Sequence, residues 1–471
     1  MNTHPQMVAL RAQVDEMLDL LAAAEARYCL GESATFEPGE VYAGWPDVVR
    51  LDTIAELRAA GVPDRTSRPL IGLVVQALVE SSCDPLRTRI AAREREVTVT
   101  GATGERTTVA RARRPADSRP GAASDRQLRQ VYDAEIAPLW LETHDARLAV
   151  IRAAGYPDLA EYAARVQGHD LERLEREANA FLGSTRSRYE ALRRPVFGDD
   201  LGTVAGLIGA VRAEFADPVN LTTCLPLLRL FVAGLGLDLE PRIRLDLDAR
   251  PGKVTGAYCI PVKVPKDIVV AVSAVGGVGD CRPLFHETGH ALHFAHTDGE
   301  LPVDGRRMGD EGLVEGWGVV TENLFLHQGW LARSFPRRTA VALGRDTARR
   351  LLIVARAQCV RLLFAVDAGR RPAGPVELRY RYDQLMAEHL GARSGPVEYL
   401  DVLCGGLACA TRLRSWEFGT AVADLLNHDV GQDWSSDPRA GSWLRDPRSA
   451  GGGSQDVADL ADLRDGVQVC G

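Results

Sequence analysis

Two histidines and a glutamate lie within one short segment, His286-Glu287-Thr288-Gly289-His290. At about 100° per residue, His286 and His290 fall on one face of a helix, and Glu287 lies beside them. Two imidazoles at this spacing can bind one zinc ion, and the carboxylate can accept the proton of a water that the metal activates. Apolar residues flank the motif on both sides, which favours a packed helix. Since so short a pattern also arises by chance, the motif alone indicates a metal site without establishing one.

A second acidic segment offers the third protein ligand that a catalytic zinc ion needs. Residues 310–323 are predicted to form a helix, on which Glu311, Glu315 and Glu322 share one face. Burial of three carboxylates is costly unless a cation or hydrogen-bond donors satisfy them. We predict that Glu315 is the third ligand and that Glu322 accepts the second ring N–H of a ligand histidine. Glu311 is predicted to be a further carboxylate of this outer shell, which contacts the ligands and not the metal. The alternative is that these acids form a solvated helix face.

The zinc motif and the spacing of the glutamates resemble those of a known family. Residues 284–293 are similar to the active-site helix of the thimet oligopeptidase and oligopeptidase F metallopeptidases, which are related to the angiotensin-converting enzyme family. In the thimet family a ligand glutamate follows the second histidine by 25 residues, and another glutamate follows seven residues later. Glu315 and Glu322 match both spacings. The resemblance extends to residues 256–259, 268–272, 437–445 and 451–454.

This resemblance implies a fold and a mode of binding. It implies a mainly α, two-lobed helical body of the gluzincin type, with a short β-sheet beside the zinc helix and a deep central channel. In the family the strand that precedes the zinc helix borders the cleft. Residues 268–272 are therefore expected to pair with an extended peptide substrate.

The chain departs from the family in the residues that stabilise the tetrahedral intermediate. Thimet-type enzymes carry a histidine and a cluster of tyrosines late in the chain, but residues 405–416 contain no tyrosine. His389 and Tyr399 lie ten residues apart, a spacing similar to that of the histidine and tyrosine that bind substrate and the developing oxyanion in the angiotensin-converting enzyme family. The resemblance implies that both assist Glu287 in catalysis. The alternative for Tyr399 is a core tyrosine whose hydroxyl bonds a backbone carbonyl.

The composition of the chain is that of an ordinary globular protein and argues against several other classes. The chain has 471 residues, of which 45% are hydrophobic and 25% charged, as in ordinary globular proteins. The formal net charge of −8 gives no support for nucleic-acid binding. The sequence has neither an apolar stretch long enough to span a membrane nor a signal pattern at its start, and its nine cysteines lack the spacing of a disulfide framework. We expect a cytoplasmic protein with no membrane or nucleic-acid partner.

The pattern of apolar residues suggests two parts that form one continuous unit. We predict a mostly helical N-terminal lobe over residues 1–240, with a β-hairpin near 96–110, and a catalytic zinc lobe over residues 241–471. Strands are expected around residues 243–247, 253–258 and 268–272, with helices almost throughout the rest.

The leading hypothesis is a zinc-dependent metallopeptidase with one zinc ion and Glu287 as the general base. Its substrate would be a short peptide or a peptide-like small molecule. The alternative is an enzyme of the same fold that performs a metal-assisted step on one small molecule in a biosynthetic pathway, an idea motivated by the missing tyrosines. A binding protein with a vestigial site is disfavoured, since a decaying site would first lose its costly buried carboxylates.

Overall fold

The computed structural model describes residues 5–59, 64–100, 105–112, 122–211, 219–274, 276–307 and 310–445. Residues 451–454, which contribute to the family resemblance, lie outside this described part. None of the helices in the described part combines the length and apolar character that a membrane crossing requires.

Helices dominate the described part of the chain. They are α1 (Pro5–Cys29), α2 (Pro38–Ala43), α3 (Leu51–Ala59), α4 (Asp64–Glu96), α5 (Val109–Ala112), α6 (Ala122–Glu135), α7 (Ala137–Ala153), α8 (Leu159–Tyr162), α9 (Leu171–Ser184), α10 (Arg186–Phe197), α11 (Val204–Val211), α12 (Leu221–Gly234), α13 (Val278–His296), α14 (Val303–Arg306), α15 (Glu311–Glu322), α16 (Gln328–Ser334), α17 (Arg337–Arg370), α18 (Pro375–Leu390), α19 (Glu398–Cys404), α20 (Ala408–Asp429) and α21 (Pro438–Arg445). A π-helical turn and two 3₁₀ turns add to them. The mainly α class predicted from the sequence is confirmed.

Short strands form two small sheets within the described residues. They are β1 (Thr98–Thr100), β2 (Arg106–Thr108), β3 (Ile243–Asp246), β4 (Ala257–Lys263) and β5 (Asp267–Val272). β1 pairs with β2 in antiparallel fashion at the place where the sequence predicts a hairpin. The second sheet has the order β3-β5-β4, so β4 lies at an edge and β5 in the centre.

The strand predicted at residues 253–258 differs in its bounds from the observed strand β4. β4 runs from Ala257 to Lys263 and contains Pro261. Proline interrupts a strand pattern because it has no N–H to donate to the ladder. An edge strand tolerates it, particularly where the register shifts, and such a shift lies between Ile260 and Lys263.

The central position of β5 corrects the expectation for substrate pairing. β5 pairs in parallel with β3 on one side and in antiparallel fashion with β4 on the other. Both of its edges are occupied, so the expectation that residues 268–272 pair with a peptide is wrong. In the described part of the chain, the two outer edges of this sheet belong to β3 and β4, and β4 is the edge strand next to Glu287.

The metal-motif helix α13 is held in the core that surrounds this sheet. Leu284 and Phe285 are fully buried, and they share one apolar cluster with Ile268 and Val270 of β5. α13 also packs on α15, and α15 packs on α20. These contacts place α15 between α13 and α20. The division into lobes at residue 240 and the deep channel stay predictions.

Candidate metal centre

Three side chains from two helices converge on one point. His286 and His290 project from α13, and their Nε2 atoms lie 3.1 Å apart. From α15, Glu315 places Oε2 3.7 Å from Nε2 of His286 and Oε1 3.8 Å from Nε2 of His290. The three potential ligand atoms lie within 4.8 Å of one another, a spread that a single cation bound at about 2 Å from each can bridge. The structure therefore brings together the three ligands predicted from the sequence.

The charge states of these groups suit a zinc ion. Burial and the nearby charge of His286 lower the pKa of His290 to about 4, so His290 is neutral at pH 7 and its lone pair is available. Although burial favours the neutral acid, His286 and Arg412 hold the pKa of Glu315 at about 2, so Glu315 is anionic. Its Oε2 has no hydrogen-bond partner with proper geometry among the described residues. Two imidazoles and one unsatisfied carboxylate are a typical zinc ligand set.

Two glycines allow α13 and α15 to approach closely enough to form this site. A Cβ atom on Gly289 would lie 2.3 Å from both the carbonyl oxygen of Trp317 and Oγ1 of Thr321. A Cβ atom on Gly318 would lie 2.6 Å from Cε1 of His286. The Thr321 hydroxyl also donates a hydrogen bond of 2.7 Å to the carbonyl of Phe285, which ties the two helices together. Larger residues at either glycine would push Glu315 away from the histidines.

A polar network fixes the start of α15. The Asp310 carboxylate caps the helix by accepting a hydrogen bond of 2.8 Å from the N–H of Gly312. Arg414 of α20 donates to both oxygens of Asp310, at 2.9 and 2.6 Å. His169 lies 3.3 Å from Arg414 through its Nδ1. This network anchors α15 to α20 one turn before Glu315.

The second ring nitrogen of His286 faces Glu322. Nδ1 of His286 lies 3.2 Å from Oε2 of Glu322, which is where the sequence predicts this outer glutamate. Burial disfavours protonated His286, but its contacts with Glu315 and Glu322 outweigh burial and raise its pKa to about 9. Although burial favours neutral Glu322, His286 and the charges of Arg282 and Arg350 hold the pKa of Glu322 below its ordinary value. The arrangement orients His286 with Nε2 toward the metal position.

Zinc binding to the metal-free protein is expected to release close to one proton per ion at pH 7. His286 has a pKa of about 9, so it is protonated at pH 7 and must lose that proton before Nε2 can act as a ligand. The affinity for zinc should therefore rise roughly tenfold per pH unit up to about pH 9. Calorimetric titration in buffers of different ionisation enthalpy measures the proton release. Glu322→Gln should shift the pH at which this release disappears to lower values, and an unchanged pH dependence of the release would show that Glu322 does not set the pKa of His286.

Glu287 lies between the ligand group and the edge strand β4. The backbone of Cys259 in β4 lies close enough to its carboxylate to lower its pKa. Burial raises the pKa of Glu287 to about 6, and the charge of Glu315 adds to this effect, while His286, the Cys259 backbone and Arg412 oppose it. A carboxylate with a pKa near 6 is ionised at neutral pH yet accepts a proton more readily than an ordinary one.

The architecture around this site matches solved structures, although no family model and no curated protein sequence matches the chain. A carboxypeptidase from Pyrococcus furiosus superposes with a TM-score of 0.66 over 99% of both chains at 12% identity. Metallocarboxypeptidase 1 of Trypanosoma cruzi gives 0.61 over 98% of this chain and 99% of its own, at 14% identity. A Bacillus anthracis protein assigned as oligoendopeptidase F gives 0.56 over 95% and 87%, at 12% identity. The chain has the fold of these metallopeptidases. The resemblance stated from sequence is confirmed for the architecture.

Glu311 occupies a different position in this metallopeptidase fold from Glu322. It is the first residue of α15, and burial together with the charges of Asp310 and Glu315 raises its pKa. Within the described part of the chain, no hydrogen bond or ion pair joins Glu311 to either ligand histidine. Its role as an outer carboxylate stays a prediction.

The structure gives no contact between the ligand group and the residues predicted to stabilise the oxyanion. Tyr399 is fully buried, its hydroxyl donates to Oδ1 of Asp133 at 3.1 Å, and Arg379 lies 4.8 Å from the centre of its ring. Tyr399 is thus a core residue, as in the alternative from the sequence, but its acceptor is a carboxylate. Nε2 of His389 lies 4.0 Å from Oε1 of Glu388, and the backbone carbonyl of His389 accepts a hydrogen bond from Arg356. The catalytic roles of Tyr399 and His389 stay predictions without geometric support.

The structure instead brings Arg412 to the site, a residue that sequence reasoning does not single out. Its Nη1 lies 3.0 Å from Oε2 of Glu315, and its side chain is 38% exposed. Arg412 also lowers the pKa of Glu287, so its charge acts on the predicted base as well. No spacing rule connects Arg412 to the metal motif. Its proximity results only from the packing of α20 on α15.

Proposed function

We propose that the protein is a zinc-dependent peptidase that hydrolyses amide bonds in short peptides or peptide-like molecules. The observation that carries this proposal is the convergence of His286, His290 and Glu315 beside Glu287. The fold adds support, because the solved structures that share it are named carboxypeptidase, metallocarboxypeptidase and oligoendopeptidase.

Each side chain of the site would have a separate role in hydrolysis. His286, His290 and Glu315 would hold one zinc ion, which when bound acts as a Lewis acid toward water and the scissile carbonyl. Glu287 accepts the proton of the attacking water and then donates it to the nitrogen of the leaving amine. Its pKa of about 6 allows both steps near neutral pH. Glu322 keeps His286 oriented through Nδ1.

We further propose that the peptide backbone pairs with the outer edge of β4. This strand is at an edge of its sheet, and the backbone of Cys259 within it lies close enough to Glu287 to lower the pKa of that carboxylate. An extended peptide added to such an edge gains main-chain hydrogen bonds and places its carbonyl groups beside the glutamate.

Digestion of a mixed library of short peptides tests the proposed activity. Zinc-loaded protein should cleave a subset of peptides, chelator-treated protein should cleave none, and added zinc should restore cleavage. Mass spectrometry of the products shows the length and cleavage position that the site accepts. Failure of the zinc-loaded protein to cleave any peptide would refute the peptidase proposal and favour the alternative, an enzyme for one small molecule.

The proposed location is the cytoplasm. The cysteines in the described part of the chain form no disulfide bonds, which agrees with a reducing compartment.

A further inference from the structure

Arg412 points a largely unused guanidinium group at the metal centre. In the described part of the chain its one polar contact is the 3.0 Å approach of Nη1 to Oε2 of Glu315. A guanidinium carries five N–H donors in a rigid fork. With 38% of the side chain exposed, Arg412 can offer its remaining donors to a ligand bound beside Glu315.

The hydroxyl groups of Tyr258 and Tyr399 already have other hydrogen-bond acceptors. Tyr258 lies on β4 close enough to Glu287 for that charge to contribute to its raised pKa, but its hydroxyl already donates to the carbonyl oxygen of Thr255 at 2.8 Å. The hydroxyl of Tyr399 donates to Asp133 inside the core. Residues 405–416, at the start of α20, contain no tyrosine but do contain Arg412.

We infer that Arg412 binds and stabilises the negative charge that develops on the attacked carbonyl oxygen of the substrate. This inference rests on the proposed peptidase function. As the water oxygen bonds to the carbonyl carbon, the π electron pair of the C=O bond moves onto its oxygen, and Glu287 takes the proton of the water. The N–H groups of Arg412 that Glu315 does not contact donate to that oxygen. When the C–N bond breaks, the pair returns to form C=O, and the amine leaves with the proton from Glu287.

The electrostatics of the site favour this role over a purely structural one. A fixed positive charge at the place where negative charge appears is stronger in a partly desolvated cleft than in water. The ion pair with Oε2 of Glu315 holds the guanidinium beside the ligand group, but it lacks hydrogen-bond geometry. The N–H groups of Arg412 are therefore available to a substrate oxygen.

The variant Arg412→Gln, measured with a zinc-loaded protein, tests the inference. We expect kcat on a cleavable peptide to fall about 10²–10³-fold with little change in KM, which is the typical cost of removing an oxyanion donor. The affinity for a phosphinic peptide, an anionic mimic of the tetrahedral intermediate, should fall by a similar factor in calorimetry. Arg412→Lys should recover part of both losses. Arg370→Gln is the matched control, since Arg370 forms a surface ion pair with Glu175 and should leave both values unchanged.

Each outcome supports or overturns the role of Arg412. Parallel loss of kcat and phosphinic-peptide affinity, with zinc content and melting temperature retained, supports it. Wild-type affinity for the phosphinic peptide in Arg412→Gln overturns it. Loss of zinc in both Arg412 variants also overturns it, because Arg412 would then only hold Glu315 in place. If the wild-type protein cleaves no peptide, the proposed function fails, whereas the phosphinic-peptide comparison still tests Arg412 by itself.

Discussion

Glu287→Gln is expected to lower kcat/KM on any cleaved peptide by about 10³-fold or more while the protein keeps its zinc. The amide of glutamine has the shape of the carboxylate but cannot accept the proton of the attacking water. The proposed zinc ligands are three other side chains, so metal content should equal that of the wild type. Peptide kinetics and elemental analysis of the purified variant provide the two measurements.

The control for this variant is Glu300→Gln, which makes the same chemical change at an exposed position beyond α13. It should retain wild-type kinetics. In the zinc-loaded wild type, kcat/KM should fall on the acidic side at a pH below about 6, because protonated Glu287 cannot act as a base. The pKa of Glu287 is about 6 in the metal-free protein, and bound zinc favours the carboxylate and so lowers it. If Glu287→Gln keeps activity within tenfold of the wild type, Glu287 is not the base.

Gly289→Ala is expected to abolish zinc binding and to destabilise the protein by about 3 kcal/mol. The new methyl group would lie 2.3 Å from both the carbonyl oxygen of Trp317 and Oγ1 of Thr321. Because one of these atoms belongs to the backbone of α15, the clash is relieved only if the helix moves. Such a movement separates Glu315 from His286 and His290. Thermal unfolding and zinc content measure the two effects.

Gly183→Ala provides the matched comparison. Gly183 lies in α9, and a Cβ atom there meets nothing within 4 Å. The same substitution should stabilise the protein by about 0.5–1 kcal/mol, since alanine loses less backbone entropy than glycine in a helix. If Gly289→Ala behaves like Gly183→Ala and retains zinc, the close approach of α13 and α15 does not hold the site together.

Patterns within single helices placed the predicted metal ligands on particular helix faces. In a helix the direction of each side chain follows from the residue number, so the spacing of His286 and His290 placed both on one face of α13. The same rule placed Glu315 and Glu322 on one face of α15. The mainly α class followed from the same periodicity. The pairing of the two helices, by contrast, came from the family resemblance and from the preference of zinc for a third ligand.

The sequence by itself thus determined the chemical groups of the site and the helix that carries each of them. Only the tertiary structure decided which groups from distant segments meet there. It put Arg412 of α20 at Glu315, buried Tyr399 against Asp133, and placed β5 in the centre of its sheet with β4 at an edge. The physical reason is that local periodicity records which face of an element is apolar or polar. Contacts between elements depend on packing and strand order, which involve residues far apart in the chain.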